Sequence, residues 1–149
     1  MKCLREIYSA YTEADGRLDL RERAATTESS RAHWTLLRSI NDQAYFMILF
    51  ACFESRVTDL CKRLVATKCR TPSWRRRRLW DTVDLSRMRL QFMRKVALLI
   101  EKGSADYARI HALYELRCDI AHGEPRKVGA INLATEYQEI CRLWRSLSP

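Results

Sequence analysis

Apolar residues recur at helical intervals along most of this chain. The clearest run is central: Phe46, Phe50, Phe53, Val57, Leu60 and Leu64 follow steps of 4, 3, 4, 3 and 4. That interval places them on one face of a helix. Ile48, Leu49 and Cys52 add a second apolar side near its start, so this helix belongs in the middle of a bundle. Its pattern extends from about residue 30 to about residue 68, and Asn41-Asp42 is a point where it can break.

Four further segments share the period. Residues 1–27 are helix-prone, with Cys3, Ile7, Ala10 and Ala14 as a stripe and Gly16 as a breaking or bending point; Thr26 to Ser30 form an N-cap cluster. A third helix runs from Asp84 or Ser86 to Lys102 on the stripe Leu85, Met88, Phe92, Val96 and Leu99, with Gly103 as its stop. A fourth is capped by Ser104 or Asp106, turns Ile110, Leu113, Tyr114 and Cys118 inward, and ends at Gly123 and Pro125. The last, from about Ala130 to Leu147, carries Leu133, Tyr137, Ile140, Trp144 and Leu147. Residues 69–83 read as a basic loop. The expected fold is all-α, a bundle of four to five helices in one domain over residues 1–149, with residues 1–29 as a helical extension and 69–83 as a loop insert.

Composition narrows this picture. A chain of 149 residues supports one hydrophobic core. Four glycines and three prolines are too few for the turns of an all-β fold. The formal charge is +9, and 21 of the 27 cationic residues are arginine, whose planar fork suits phosphate; nucleic acid is one explanation and a merely basic surface the other. The six cysteines form no CxxC pair and have no histidine at zinc-finger spacing, which favours free, buried cysteines in a reducing compartment. The start of the chain has no apolar signal core, and the longest apolar run, Ala44 to Phe53, is too short to span a bilayer. The expectation is a cytoplasmic protein.

Most catalytic chemistries find no residues to carry them. His33, His111 and His122 offer no metal-ligand pair on one helix face, no glycine-rich phosphate loop exists, and no Ser or Cys lies in a nucleophile motif; no metal or cofactor is expected. The carboxylates are scattered, mostly beside arginines, as in solvated ion pairs. Arg117 and His122 are left. On a continuous helix they stand about 140° apart, but a helix that ends near Ala121 lets His122 turn back toward Arg117. Histidine exchanges protons near neutral pH, and arginine neutralises charge on a pentavalent phosphate. Spacing alone is weak: three histidines, three allowed offsets and the arginine frequency give roughly one chance hit.

The context is more specific. Tyr114-Glu115-Leu116-Arg117-Cys118-Asp119-Ile120-Ala121-His122-Gly123 resembles the signature of HEPN domains, in which an Arg-(polar)-x-x-x-His element ends a helix, often as RNxxAHG. Ala44 to Ser55 looks like the family's central helix with its aromatic-Glu step, and the order of central helix, basic insert, motif helix and closing helix matches over roughly residues 30–147. The resemblance implies a helical homodimer that brings two Arg/His pairs together. It also implies a metal-independent endoribonuclease of toxin–antitoxin or anti-phage defence type, with RNA as substrate and a cognate antitoxin or other regulatory protein as a further partner. In that scheme His122 assists proton transfer and Arg117 holds the phosphate. Glu54 matches the polar position of the central helix, or else partners Arg56. Asp119 orients His122 or Arg117, or else caps the helix.

The sequence departs from the family at Cys118, where a polar residue commonly follows the arginine; Asp119 lies one step later. This keeps a second reading open, a non-catalytic HEPN-like module that dimerises and binds RNA or protein. A helical adaptor with no used Arg/His pair is the third. Arg75, Arg76, Arg77 and Arg78 are the expected RNA contacts, since adjacent charges bind phosphate without reading sequence. Trp74 and Trp80 can stack on bases, but are expected to fold back onto the bundle.

Overall fold

One helix organises the molecule. In this computed structural model, which describes residues 1–81, 91–123 and 128–147, α2 runs unbroken over Glu28–Cys69. Its 42 residues are about 63 Å long at the usual rise per residue. Thr27 caps it: the side-chain oxygen accepts from the Ser30 amide at 3.2 Å. Phe46, Leu49, Phe50, Phe53, Val57, Leu60 and Cys61 are all fully buried. The expected stripe is therefore the core, with two corrections. Leu64 is only half-buried, and the second apolar side divides, because Leu49 points inward while Ile48 is 48% exposed.

Five more helices surround α2 among the described residues: α1 (Lys2–Arg23), α3 (Trp74–Asp81), α4 (Phe92–Leu99), α5 (Ala105–Ala121) and α6 (Leu133–Ser146). The fold is all-α, and no described helix is long and apolar enough to cross a membrane. The sequence-predicted helix over 84–102 and its residues Leu85 and Met88 fall partly outside the described residues, as does Pro125.

Helix α1 lies antiparallel along α2. Cys3 meets Cys52, Tyr11 donates to Asp42 at 2.9 Å, and Asp15, Asp19 and Glu22 meet Arg38, so positions rising along α1 pair with positions falling along α2. This contact explains why Asn41-Asp42 does not break α2: Asp42 is a hydrogen-bonded, half-buried part of the seam. The expected α1 stripe holds at Ile7 and Ala14, which are half-buried, and fails at Cys3 and Ala10. Leu4 is buried and Ile7, Tyr8 and Tyr11 are half-buried, whereas Cys3 and Ala10 are exposed; helix α1 also passes through Gly16 without stopping. Through Leu4 and the stacking of Tyr8 on Tyr137, with centroids 4.0 Å apart, α1 joins the core rather than trailing from it.

The remaining helices close the other side. Phe92 on α4 packs against Phe50, Phe53 and Tyr114, tying α2, α4 and α5 into one aromatic cluster. Helix α4 ends at Leu99, four residues before Gly103, because Ile100 takes an extended conformation and leads into the Ser104 cap of α5. Arg109 with Glu136 and Arg142 with Asp106 join α5 to α6. Residues Ile110, Leu113, Leu133, Ile140, Leu143 and Leu147 complete the core.

The basic insert differs most from its expected form. Trp74–Asp81 is a helix, α3, not a loop. Arginine and leucine are good helix formers, the segment holds no glycine or proline after Pro72, and the Ser73 carbonyl accepts from the amides of Arg76 and Arg77 to start the first turn.

Candidate functional site

Helix α5 starts and stops where its sequence directs. Ser104 accepts from the Tyr107 amide at 3.2 Å, which settles the choice between Ser104 and Asp106 as cap. The last helical residue is Ala121, His122 is the C-cap, and Gly123 follows at φ 74. A positive φ is open to glycine without cost, and the Gly123 amide reaches back to the Ile120 carbonyl at 3.2 Å. Arg117 is half-buried in the penultimate turn.

Arg117 lines an open groove of about 590 Å³ between α2, α4 and α5. Ala51, Glu54, Ser55, Thr58, Asp59 and Lys62 form its α2 wall, Phe92 and Lys95 come from α4, and Tyr114 and Arg117 from α5. Glu54 and Arg117, singled out separately in the sequence, thus line one site although they lie on different helices. Arg56, two residues beyond Glu54, points about 200° away around α2 and stacks over Trp144 at 5.6 Å, so it does not partner Glu54. His122 and Asp119 are exposed at the end of α5, outside this groove in a single chain.

The groove has a charged lining over an aromatic floor. Three cations, Lys62, Lys95 and Arg117, share it with the carboxylates Glu54 and Asp59, and Lys62 stands 4.0 Å from Asp59. Tyr114 packs on Phe92 with centroids 5.3 Å apart. The Cys118 sulfur one turn on holds the Tyr114 hydroxyl in its protonated form, so its pKa lies above the usual tyrosine value; Arg117 opposes this shift. Cys118 is half-buried one turn beyond Tyr114 and is not part of the groove lining. Such a lining suits an extended anionic ligand bound by charge, with a ring available for packing.

The arginine run behaves differently from expectation. Arg75, Arg76 and Arg78 are exposed on α3, but Arg77 pairs with Asp81 at 3.2 Å and Arg78 lies over the Trp74 ring at 5.4 Å. Trp74 is 60% exposed and does not fold back onto the bundle; Trp80 is half-buried. Sequence reasoning missed Lys95, Thr58 and Lys62. The only signal for Lys95 was a polar position between the apolar pair Phe92 and Val96, which says nothing of what it faces.

A second polar cluster lies far from the groove, between α1 and α2. Arg38 donates to Asp15 at 2.9 Å, to Asp19 at 3.0 Å and to Glu22 at 2.8 Å. The ion pair with Arg38 and the Thr35 hydroxyl hold the Glu22 carboxyl below its ordinary value. These carboxylates are an interhelical clasp, not the solvated pairs expected. Asp42 is raised by burial, with Tyr11 opposing the shift, and Tyr11 is itself raised by burial and by its bond to Asp42.

No protein-family model, no curated protein and no solved structure matches this chain.

Proposed function

We propose that the chain is a HEPN-like, metal-independent endoribonuclease of toxin or defence type, acting as a homodimer. The observation that carries this reading is the meeting of Arg117 and Glu54 in one charged groove at the end of a helix that stops on Ala121-His122-Gly123. Along the outer face of α2, Ile40, Ala44, Ile48 and Ala51 form an exposed, largely apolar stripe that runs into the groove wall at Ala51 and Ser55. A second copy docked on this stripe would bring its own α5 end to the groove. His122, exposed on one chain, would then serve a site shared by two.

The chemistry follows from the residue types. A base takes the proton of the RNA 2′-hydroxyl, and the 2′-oxygen attacks the adjacent phosphorus. The bond from phosphorus to the 5′-oxygen breaks, and that oxygen takes a proton. The products are a 2′,3′-cyclic phosphate and a 5′-hydroxyl. His122 exchanges the proton, and the Arg117 guanidinium balances the charge that builds on the phosphate oxygens.

The test is cleavage of RNA in EDTA by wild type, Arg117→Ala and His122→Ala. Wild type cuts and both variants lose at least two orders of magnitude, as removal of an acid–base or charge-stabilising group commonly costs. Mixing the two variants regains part of the activity if the site is shared between copies. Variants that cut as well as wild type end this assignment. The exposure of His122 outside the groove favours the second reading, a non-catalytic module that dimerises and binds RNA or protein, if wild type binds RNA without cutting it.

A further inference from the structure

We infer that Lys95 is a phosphate-binding residue of the groove, holding the RNA backbone at a phosphate other than the one held by Arg117. The inference rests on the reading of the groove as an RNA site.

Lysine is ordinarily a mobile surface charge, but Lys95 is fixed three ways. Its neighbours Phe92 and Val96 are buried in the core, which sets the rotation of α4. Its backbone carbonyl accepts from the Cys61 thiol at 3.2 Å, which ties that turn of α4 to α2. Its ammonium donates to the Thr58 hydroxyl at 3.1 Å, which aims it along the groove wall. An ammonium has three donors, and Thr58 takes one of them. Ordering a lysine side chain costs rotamer entropy, so one already held binds an anion with less loss.

The surroundings select the ligand. Lys62, Lys95 and Arg117 come from three different helices, so the positive charge is spread along the groove and not focused on one point. Asp59 faces Lys62 on its own helix, which reduces its repulsion of an anion. At about 590 Å³ the groove exceeds what one inorganic anion fills. A chain of phosphates fits this layout. Lysine is a point charge without a planar fork, so the contact is indifferent to base sequence. By contrast, two of the four arginines on α3 are engaged within that helix.

The experiment uses a single-stranded RNA whose riboses are all 2′-O-methyl, which can bind but cannot cyclise. Affinity is read by fluorescence anisotropy across a KCl series for wild type, Lys95→Met, Lys95→Arg, Thr58→Val and, as a control outside the groove, Lys68→Met. Loss of one phosphate contact lowers the slope of log affinity against log salt by about 0.7 for single strands, and Lys95→Met is expected to weaken binding roughly fivefold at low salt. Lys95→Arg keeps the slope, Thr58→Val weakens binding without lowering it, and Lys68→Met changes neither. If Lys95→Met does not fold by circular dichroism, Thr58→Val carries the test, and unchanged affinity there overturns the inference. With cleavable RNA, Lys95→Met raises KM and leaves kcat within about twofold, the mark of a contact made equally in ground and transition states. Wild type that binds but does not cut, with binding weakened by Lys95→Met, ends the ribonuclease reading and supports Lys95. Wild type that cuts, with Lys95→Met matching it in affinity, slope and KM, overturns the inference alone.

Discussion

The sulfurs of Cys3 and Cys52 lie 2.7 Å apart across the seam between α1 and α2. Both are free thiols, and Cys3 is exposed, contrary to the expectation that the cysteines are buried. Burial and the neighbouring Cys3 push the Cys52 thiol up to about 11. A small disulfide such as oxidised glutathione should link them. The Cys3 thiolate displaces one half of the reagent, then the Cys52 thiolate displaces the other, releasing two thiols in all. Since thiolate is the attacking form, the second step should quicken as pH rises toward 11. Intact-mass measurement should show loss of two hydrogens, and Cys3→Ser should abolish it; a Cys3–glutathione adduct that Cys52 never resolves would count against the geometry.

Arg38 binds three carboxylates of α1, so Arg38→Met leaves Asp15, Asp19 and Glu22 facing one another. The expected cost is roughly 1–2 kcal/mol, above an isolated surface pair because a network is lost. The pH dependence has a definite sign. Glu22 has a lowered folded-state pKa, so its contribution is complete above its ordinary value of 4.5 and disappears as pH falls through the lower value. Denaturant titrations should therefore show wild type and variant converging in acid and separating at neutral pH.

Gly123 holds φ 74 immediately after the His122 cap, and a Cβ there would meet nothing within 4 Å. The cost of Gly123→Ala is then backbone strain alone, about 1 kcal/mol. The chain can relieve it by leaving the left-handed region, which re-aims His122. If the chain cuts RNA as proposed, Gly123→Ala should lose most of its cleavage while its melting temperature falls only a few degrees. Equal activity would mean that the position of His122 is unimportant.

Ile48 is an exposed position on the apolar face of α2. If two copies meet there, Ile48→Asp should give a monomer by light scattering at micromolar concentration, with the helical signal and melting behaviour of a folded chain. A wild type that is itself monomeric removes the shared site.

The legible part of the sequence was whatever depended on local pattern. The steps from Phe46 to Leu60 marked the core, Ser104 and Gly123 marked the limits of α5, and the motif around Arg117 drew attention to the groove. Contacts between helices were not legible. Nothing near Lys95 in sequence announces Thr58, and Arg38 shows no local sign that three carboxylates of α1 converge on it. The arginine run is a helix rather than the expected loop because arginine and leucine have good helix propensity, which a run without an apolar period does not display. Ile48 misled because periodicity reports an apolar face without saying whether this chain covers it.

Helix α1 is fastened by different forces at its two ends. Leu4 and the Tyr8–Tyr137 stack hold its beginning by packing, and Arg38 holds its second half by charge. Salt screens the second kind of attachment and spares the first. Rising ionic strength should therefore open α1 directionally, fraying from Arg23 back toward Tyr11 while the first turns stay protected from hydrogen exchange. The hairpin should then open as a hinge with its pin at Leu4.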